Sequence, residues 1–322
     1  MKISKKINEP ISEELKTFQS QFFKSVSSNI KLLDLILRYI LKRKGKKIRP
    51  VLVLLFGKMI SKEINPKTYR AANLVELIHT ASLVHDDIVD EGHIRRKFLT
   101  INALWNNKIS VLVGDFFLSK ALLLSTENKD YDLLNQVSKA VKEISEGELY
   151  QIQKSRNLNL IEKDYLELIS KKTAALFSCC CAVAAISCNS KKVKKAEEFG
   201  KYLGIIFQIK DDLFDYSKNR IGKPTKEDLK TPKITLPLIY SLANASPKEK
   251  KIIKSILRNK NFSSKNKTEI NRFIEEKKGF DYAYNLMIDY KNKALEVLKN
   301  FPQNKSKESI KLLLDFAIER KY

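Results

Sequence analysis

The chain has 322 residues, with 61 Lys and Arg against 37 Asp and Glu, a formal charge of +24. Nine Gly and eight Pro are few, which speaks against a sheet-rich fold and for helices. The basic excess suits a polyanionic partner (nucleic acid, an anionic membrane surface or phosphorylated substrates) or a solvated Lys-rich surface. The lysines are scattered, and no RNA- or DNA-binding signature accompanies them.

In chain order, the spacing of apolar residues predicts a helix over 11–43, ended by Gly45 with basic residues in its last turn. Pro50 is expected to open a helix running through residues 51–56. Pro66 punctuates before a third helix, from about Lys67 to Asp90, closed by Gly92. A loop with Arg95 and Arg96 follows, then an apolar run over 111–124. Helical patterns continue over 131–154, 162–188 and 191–217. A polar segment over 217–233, with Gly222, Pro224 and Pro232, has the composition of a mobile surface loop. Helices resume at Leu236, with breaks near 259–267 and 302–307. No strand alternation persists. The expected fold is all-α: one large helical bundle over 1–322, with sites built from inward-facing side chains.

No stretch reaches the ~18–20 apolar residues of a spanning helix. Residues 1–6 are basic but no apolar region follows, so no signal peptide is expected. Cys179, Cys180, Cys181 and Cys188 lie in a run of small apolar residues. That run reads as a tightly packed core helix with free thiols, which fits a reducing, cytoplasmic setting.

Two aspartate clusters break the basic background. Asp86-Asp87-Ile88-Val89-Asp90 and Asp211-Asp212-Leu213-Phe214-Asp215 both read D-D-x-x-D, inside apolar helical sequence. Like charges at i and i+4 cost a helix roughly 0.2–0.5 kcal/mol per pair in water, and more as water is excluded. A chain that does this twice is expected to hold something strongly positive. The donors are all oxygens, which favours Mg²⁺, and Mg²⁺ usually shares its shell with phosphate oxygens. If the two helices face each other, their carboxylates bracket a cavity for a metal-bound diphosphate. Basic residues accompany both clusters: Gly45-Lys46-Lys47-Ile48-Arg49-Pro50, Arg95-Arg96, Lys171-Lys172-Thr173, Lys223 and Lys233.

These motifs resemble those of the trans-type polyprenyl diphosphate synthases, and most nearly the long-chain ones. The stretch Glu76-Leu-Ile-His-Thr-Ala-Ser-Leu-Val-His-Asp-Asp-Ile-Val-Asp-Glu-Gly-His-Ile-Arg-Arg96 is similar to their first aspartate-rich motif, and Gln208-Ile-Lys-Asp-Asp-Leu-Phe-Asp215 to their second. Gly45 to Pro50 resembles G-K-x-x-R-P. Glu146-Gly-Glu-Leu-Tyr-Gln151, Lys172-Thr-Ala-Ala-Leu-Phe177 and Lys233-Ile-Thr-Leu-Pro237 also match in order and spacing. Two departures stand out: Lys97-Phe98-Leu99 follows the paired arginines where the family usually has Gly, and residues 226–232 lack common glycines.

The resemblance implies an isoprenoid-synthase bundle around a deep central cavity, usually a homodimer, that condenses an allylic diphosphate with isopentenyl diphosphate. It implies Asp86, Asp90 and Asp211 as principal Mg²⁺ ligands, three ions per site, with Asp87, Asp212 and Asp215 in support. Arg95, Lys172, Thr173, Gln208, Lys223 and Lys233 would hold the allylic diphosphate, with Lys172 and Lys223 also serving the leaving group. Lys46, Arg49, His79 and Arg96 would hold isopentenyl diphosphate.

Small residues at Ala81 and Ser82, with Ile78 a turn deeper at about 5.4 Å per turn, imply a product of about eight isoprene units, near C40, from farnesyl diphosphate. Such a chain would serve as a quinone side chain, with peripheral membrane contact for its release. A geranylgeranyl-type synthase is the nearest alternative. A terpene cyclase would share the first motif, and a regulatory subunit would tend to lose aspartates that this chain keeps. A di-metal carboxylate bundle is suggested by Glu76-x-x-His79 and Asp90-x-x-His93, but it leaves the second cluster unexplained. A basic nucleic-acid-binding helical protein would explain the charge alone.

Overall fold

The computed structural model describes residues 2–42, 47–95, 98–155, 160–216, 234–258 and 263–320. Along the first part run α1 (Lys2–Asn8), a 3-10 turn (Glu9–Ile11), α2 (Ser12–Ser25), α3 (Lys31–Lys42), α4 (Ile48–Ser61) and α5 (Pro66–Val89). A two-residue hairpin follows, β1 (Ile94–Arg95) with β2 (Phe98–Leu99), in antiparallel register Ile94↔Leu99. Then come α6 (Ile101–Trp105), α7 (Asn107–Glu127), α8 (Tyr131–Ser155) and α9 (Glu162–Ile169). A π-helical turn (Ser170–Ala174) leads into α10 (Ala175–Ser187), followed by α11 (Val193–Tyr216). The rest is α12 (Leu236–Ala243), α13 (Pro247–Arg258), α14 (Ser264–Glu276), α15 (Gly279–Leu298) and α16 (Lys305–Glu319).

Several boundaries differ from those expected. The helix over 11–43 is two helices, because Ser27-Ser28-Asn29 intervenes and Ser28 Oγ accepts from the Ile30 N–H at 3.2 Å. Such side chains offer the backbone a rival to helical bonding. α4 begins at Ile48, two residues before Pro50. At the third helical position proline loses only a hydrogen bond the helix start never makes. α5 is closed by Glu91 rather than Gly92: Glu91 has φ 51°, and the Gly92 N–H donates to the Asp87 carbonyl at 2.9 Å. That is a Schellman stop with a glutamate in the left-handed position. The break placed over 259–267 is already helix from Ser264, where Ser263 Oγ accepts from the Asn266 N–H at 3.3 Å. Arg95 lies on the hairpin, a pair too short to show any alternation in sequence. The expected loop over 217–233 lies outside the described residues.

Two compact units divide the chain. One comprises residues 1–141, 176–200 and 298–313. In it α4 is buried from Pro50 to Gly57 and at Met59, as a helix apolar on all sides must be. The ring of Phe56 packs 5.2 Å from Phe199 and 5.4 Å from Phe301. Asn65 starts α5 by accepting from the Thr68 N–H at 2.8 Å, with Pro66 in the first turn, the pairing that helix starts favour. The thiols of Cys179, Cys180 and Cys181 are buried in α10, and burial pushes Cys180 up to about 12.

The other unit comprises residues 142–175, 201–297 and 314–322. Its α12, α13 and α14 close over Leu238, Leu242, Ile253, Leu257, Ile270 and Ile274.

Contrary to expectation, α7 and the run Glu162–Ser187 are long and apolar enough to cross a membrane by length and composition. Asp115, Ser119 and Lys120 interrupt the apolar letters of α7 without making it polar.

Candidate active site

The first cluster closes α5. Its three carboxylates are not equivalent. Asp87 is buried and accepts from Arg95 Nε at 2.6 Å. That contact ties the helix end to the hairpin. Asn102 and Thr100 brace the same turn through the Gly92 carbonyl, at 3.2 and 2.7 Å. Asp86 and Asp90, four residues apart on one face, are half-buried and exposed. The middle aspartate therefore anchors the turn, while the outer two are less buried. Arg95, expected on a diphosphate, is held by Asp87.

One turn and more behind them, Arg49 of α4 reaches α5. Arg49 Nη1 lies 2.8 Å from His79 Nε2. A guanidinium only donates, so His79 accepts through Nε2 and carries its proton on Nδ1. The Arg49 guanidinium also lies over the Phe177 ring, 5.1 Å from its centroid. Two of the four residues expected on isopentenyl diphosphate are thus adjacent. Of the product-length positions, Ile78 and Ala81 are buried on α5, and Ser82 Oγ is turned back onto the Ile78 carbonyl at 3.0 Å. His93 lies beyond the helix, so the carboxylate–histidine pattern at 90 and 93 is not a helical pair. Among the described residues no group of three or more His, Cys, Asp or Glu side chains is arranged to hold a metal ion.

The second cluster, in the other unit, repeats the inequality. Asp212 is buried. Tyr165 Oη donates to its Oδ2 at 2.6 Å and Gln208 Nε2 to its Oδ1 at 2.8 Å. Thr173 Oγ1 donates in turn to Gln208 Oε1 at 2.6 Å. Burial pushes the Asp212 carboxyl up to about 7, against the pull of the two donors. Burial likewise raises Tyr165. Asp211 and Asp215 are half-buried on the adjoining face.

Lys171, Lys172 and Thr173 lie not in regular α-helix, as the pattern over 162–188 predicts, but in the π turn, where the Ala175 N–H donates to the Ser170 carbonyl. π turns concentrate at functional sites, and the inserted residue re-aims Lys172 and Thr173. Lys172 pairs with Glu148 at 2.5 Å and donates to Gln151 Oε1 at 3.2 Å. Gly147 makes that approach possible: a Cβ there would lie 3.0 Å from the Lys172 backbone nitrogen.

Lys46, Arg96, Lys223 and Lys233 lie outside the described residues. Sequence reading missed two groups. Tyr165 sits in Tyr-Leu-Glu-Leu-Ile and reads as a core residue. Arg320 donates through Nη2 to Asp211 Oδ1 at 2.8 Å, across 109 residues of sequence.

The outer carboxylates of both clusters supply the all-oxygen donor chemistry that a hard divalent cation takes, and within each cluster they share a helix face. This almost wholly helical arrangement, with two D-D-x-x-D clusters on helices, is that of an isoprenoid-synthase fold. The sequence profile of the polyprenyl synthetase family matches residues 30–275. The octaprenyl diphosphate synthase of Escherichia coli is 34% identical over 256 residues, 78% of this chain and 79% of that one. A decaprenyl diphosphate synthase from Rhodobacter capsulatus superimposes with a TM-score of 0.92 at 30% identity, over 98% of this chain and 99% of that one. A polyprenyl synthase from Caulobacter crescentus, solved with calcium and isoprenyl diphosphate, gives 0.90 at 28% identity, over 99% and 98%. Geranylgeranyl diphosphate synthases are also among the relatives. The chain belongs to the polyprenyl synthetase family. It is a prenyltransferase, an enzyme of a family that acts on isoprenyl diphosphates with a divalent metal.

Proposed function

We propose that this enzyme extends an allylic diphosphate, with farnesyl diphosphate as primer, by successive isopentenyl diphosphates to an all-trans product of octaprenyl length. The observation that carries the reading is the matched build of the two clusters, a buried middle aspartate fixing a turn beside outer carboxylates that are half-buried or exposed. Asp86, Asp90, Asp211 and Asp215 would hold Mg²⁺, three ions in all. When bound, Mg²⁺ would supply positive charge to offset that of a leaving diphosphate. Asp87 and Asp212 act by positioning. Lys172, on the π turn, exchanges its Glu148 partner for diphosphate oxygens, and Arg95 is the corresponding cation beside Asp87. Thr173 and Gln208, already bonded to each other, orient the allylic end.

Arg49 and His79, with Lys46 and Arg96, hold isopentenyl diphosphate. Arg49 keeps the His79 proton on Nδ1, so any hydrogen bond His79 donates leaves from that atom. The double bond of isopentenyl diphosphate attacks the allylic cation, and a proton is lost to the departing diphosphate. Lys223 and Lys233 complete the anion site. Small, tightly placed Ala81 and Ser82 leave room for chain growth, which favours the long product.

The test is incubation with farnesyl diphosphate, labelled isopentenyl diphosphate and Mg²⁺, followed by chromatography of the dephosphorylated products. Incorporation into chains near octaprenyl length is expected, shortened by Ala81→Phe. Absence of incorporation sinks the reading. Products stopping at geranylgeranyl length sink its chain-length part.

A further inference from the structure

Arg320 follows α16, its backbone N–H donating to the Phe316 carbonyl at 3.0 Å. Its side chain turns onto α11. Nη2 donates to Asp211 Oδ1 and to the Phe207 carbonyl, both at 2.8 Å. The guanidinium carbon stacks 3.7 Å from the Phe207 ring centroid and lies 5.5 Å from that of Phe214. The arginine side chain is only 8% exposed, whereas that of Asp211 is 44% exposed. The guanidinium is therefore fixed by a stack, a second ring and a backbone carbonyl, independently of Asp211. Asp211 meets the guanidinium through Oδ1, and its side chain still reaches solvent.

Asp211, Asp212 and Asp215 crowd one helix end, and like charges at i and i+4 oppose helix formation. A fixed cation offsets that repulsion when no metal is bound. The same cation withdraws negative potential from the oxygen that a divalent ion needs, and like charges so close repel even through partial screening. A diphosphate brings negative charge that outweighs one guanidinium. We infer that Arg320 is a resident counter-cation for Asp211, one that keeps the second cluster a weak metal site until a diphosphate arrives. It acts through Asp211 as a positioning and charge-tuning residue, and the inference rests on Asp211 being a metal ligand, as proposed above.

The test uses the full chain without substrate and Mn²⁺ as a spectroscopic probe. Arg320→Gln removes the charge while keeping a donor for the Phe207 carbonyl; Arg320→Met is a second neutral variant, and Arg320→Lys keeps the charge. Each variant is checked for folding by circular dichroism. The neutral variants should bind Mn²⁺ about two- to fivefold more tightly, the scale of one partly exposed charge pair. The lysine variant should stay near wild type. Adding inorganic pyrophosphate should tighten Mn²⁺ binding more in the wild type than in the neutral variants. Unchanged or weaker binding in folded Arg320→Gln and Arg320→Met overturns the inference. Asp211→Asn separates the two claims: loss of Mn²⁺ binding there upholds Asp211 as a ligand whatever Arg320 does. Wild-type binding there removes the ligand and the inference together.

Discussion

Asp212 gains two donated hydrogen bonds and loses nearly all contact with water, and the loss is the larger effect. Its carboxyl is pushed up to about 7 from an ordinary 3.8. A raised acid holds more protons folded than unfolded, so this group makes stability fall as pH rises from about 4 to 7, and contributes no further slope above that. Tyr165→Phe removes one of the donors that hold the carboxyl down. Hydrogen bonds to a charged group are worth about 1.5–3 kcal/mol, and neutral ones about 0.5–1.5 kcal/mol. The variant should therefore lose more stability at pH 8, where Asp212 is ionised, than at pH 5, where it is neutral. Urea unfolding at the two pH values measures this. An equal loss at both would mean that Asp212 does not titrate between them. Nothing in the letters around Tyr165 marks it, because a tyrosine among Leu and Ile looks like packing until its hydroxyl partner is known.

Helix α7 approaches α5 closely at one point. A Cβ on Gly114 would lie 2.1 Å from His85 Nε2, so the imidazole ring rests where any other residue would put its side chain. That ring precedes Asp86 and reaches the Val111 carbonyl at 3.3 Å. Gly114→Ala should cost about 1–3 kcal/mol by overpacking and lower turnover by shifting the turn that carries Asp86. Adding His85→Ala to Gly114→Ala should recover most of the stability, since the clash is with that ring; a double-mutant cycle in urea reads the coupling. Additive losses would place the strain elsewhere.

The apolar period that reveals α5, α8 and α11 was legible in the sequence, as were both aspartate turns, because each is a local pattern. The π turn at Ser170–Ala174 was not, since one extra residue in a helical run leaves the period almost unchanged. The Glu91 stop was equally hidden, with a glycine one position on as the stronger signal. Contacts such as Arg320 with Asp211 are set by tertiary packing and have no local signature at all.

Within the first unit, α7 buries Val113, Gly114, Phe117 and Ala121 and turns Val111, Leu112, Leu122 and Leu123 outward. Val111 and Leu112 lie three turns from Leu122 and Leu123 on the same side of α7, with exposed Asp115 and Ser119 between them. Exposed aliphatic residues repeated on one helix side suit an association surface. We propose that it meets its own copy across a two-fold axis in a homodimer, as the motif resemblance implied. In such an isologous contact every substitution counts twice. Fully burying a large aliphatic side chain contributes about 1.5–3 kcal/mol, and these four, already about half covered, would each add about half of that. Leu112→Glu with Leu122→Glu places charge on residues that already face water, and the fold of each chain should survive, as circular dichroism can check. Sedimentation velocity at micromolar concentration should then show monomers where the unaltered protein shows dimers. A double variant that still sediments as a dimer would assign the contact to another face and leave this side of α7 without that role.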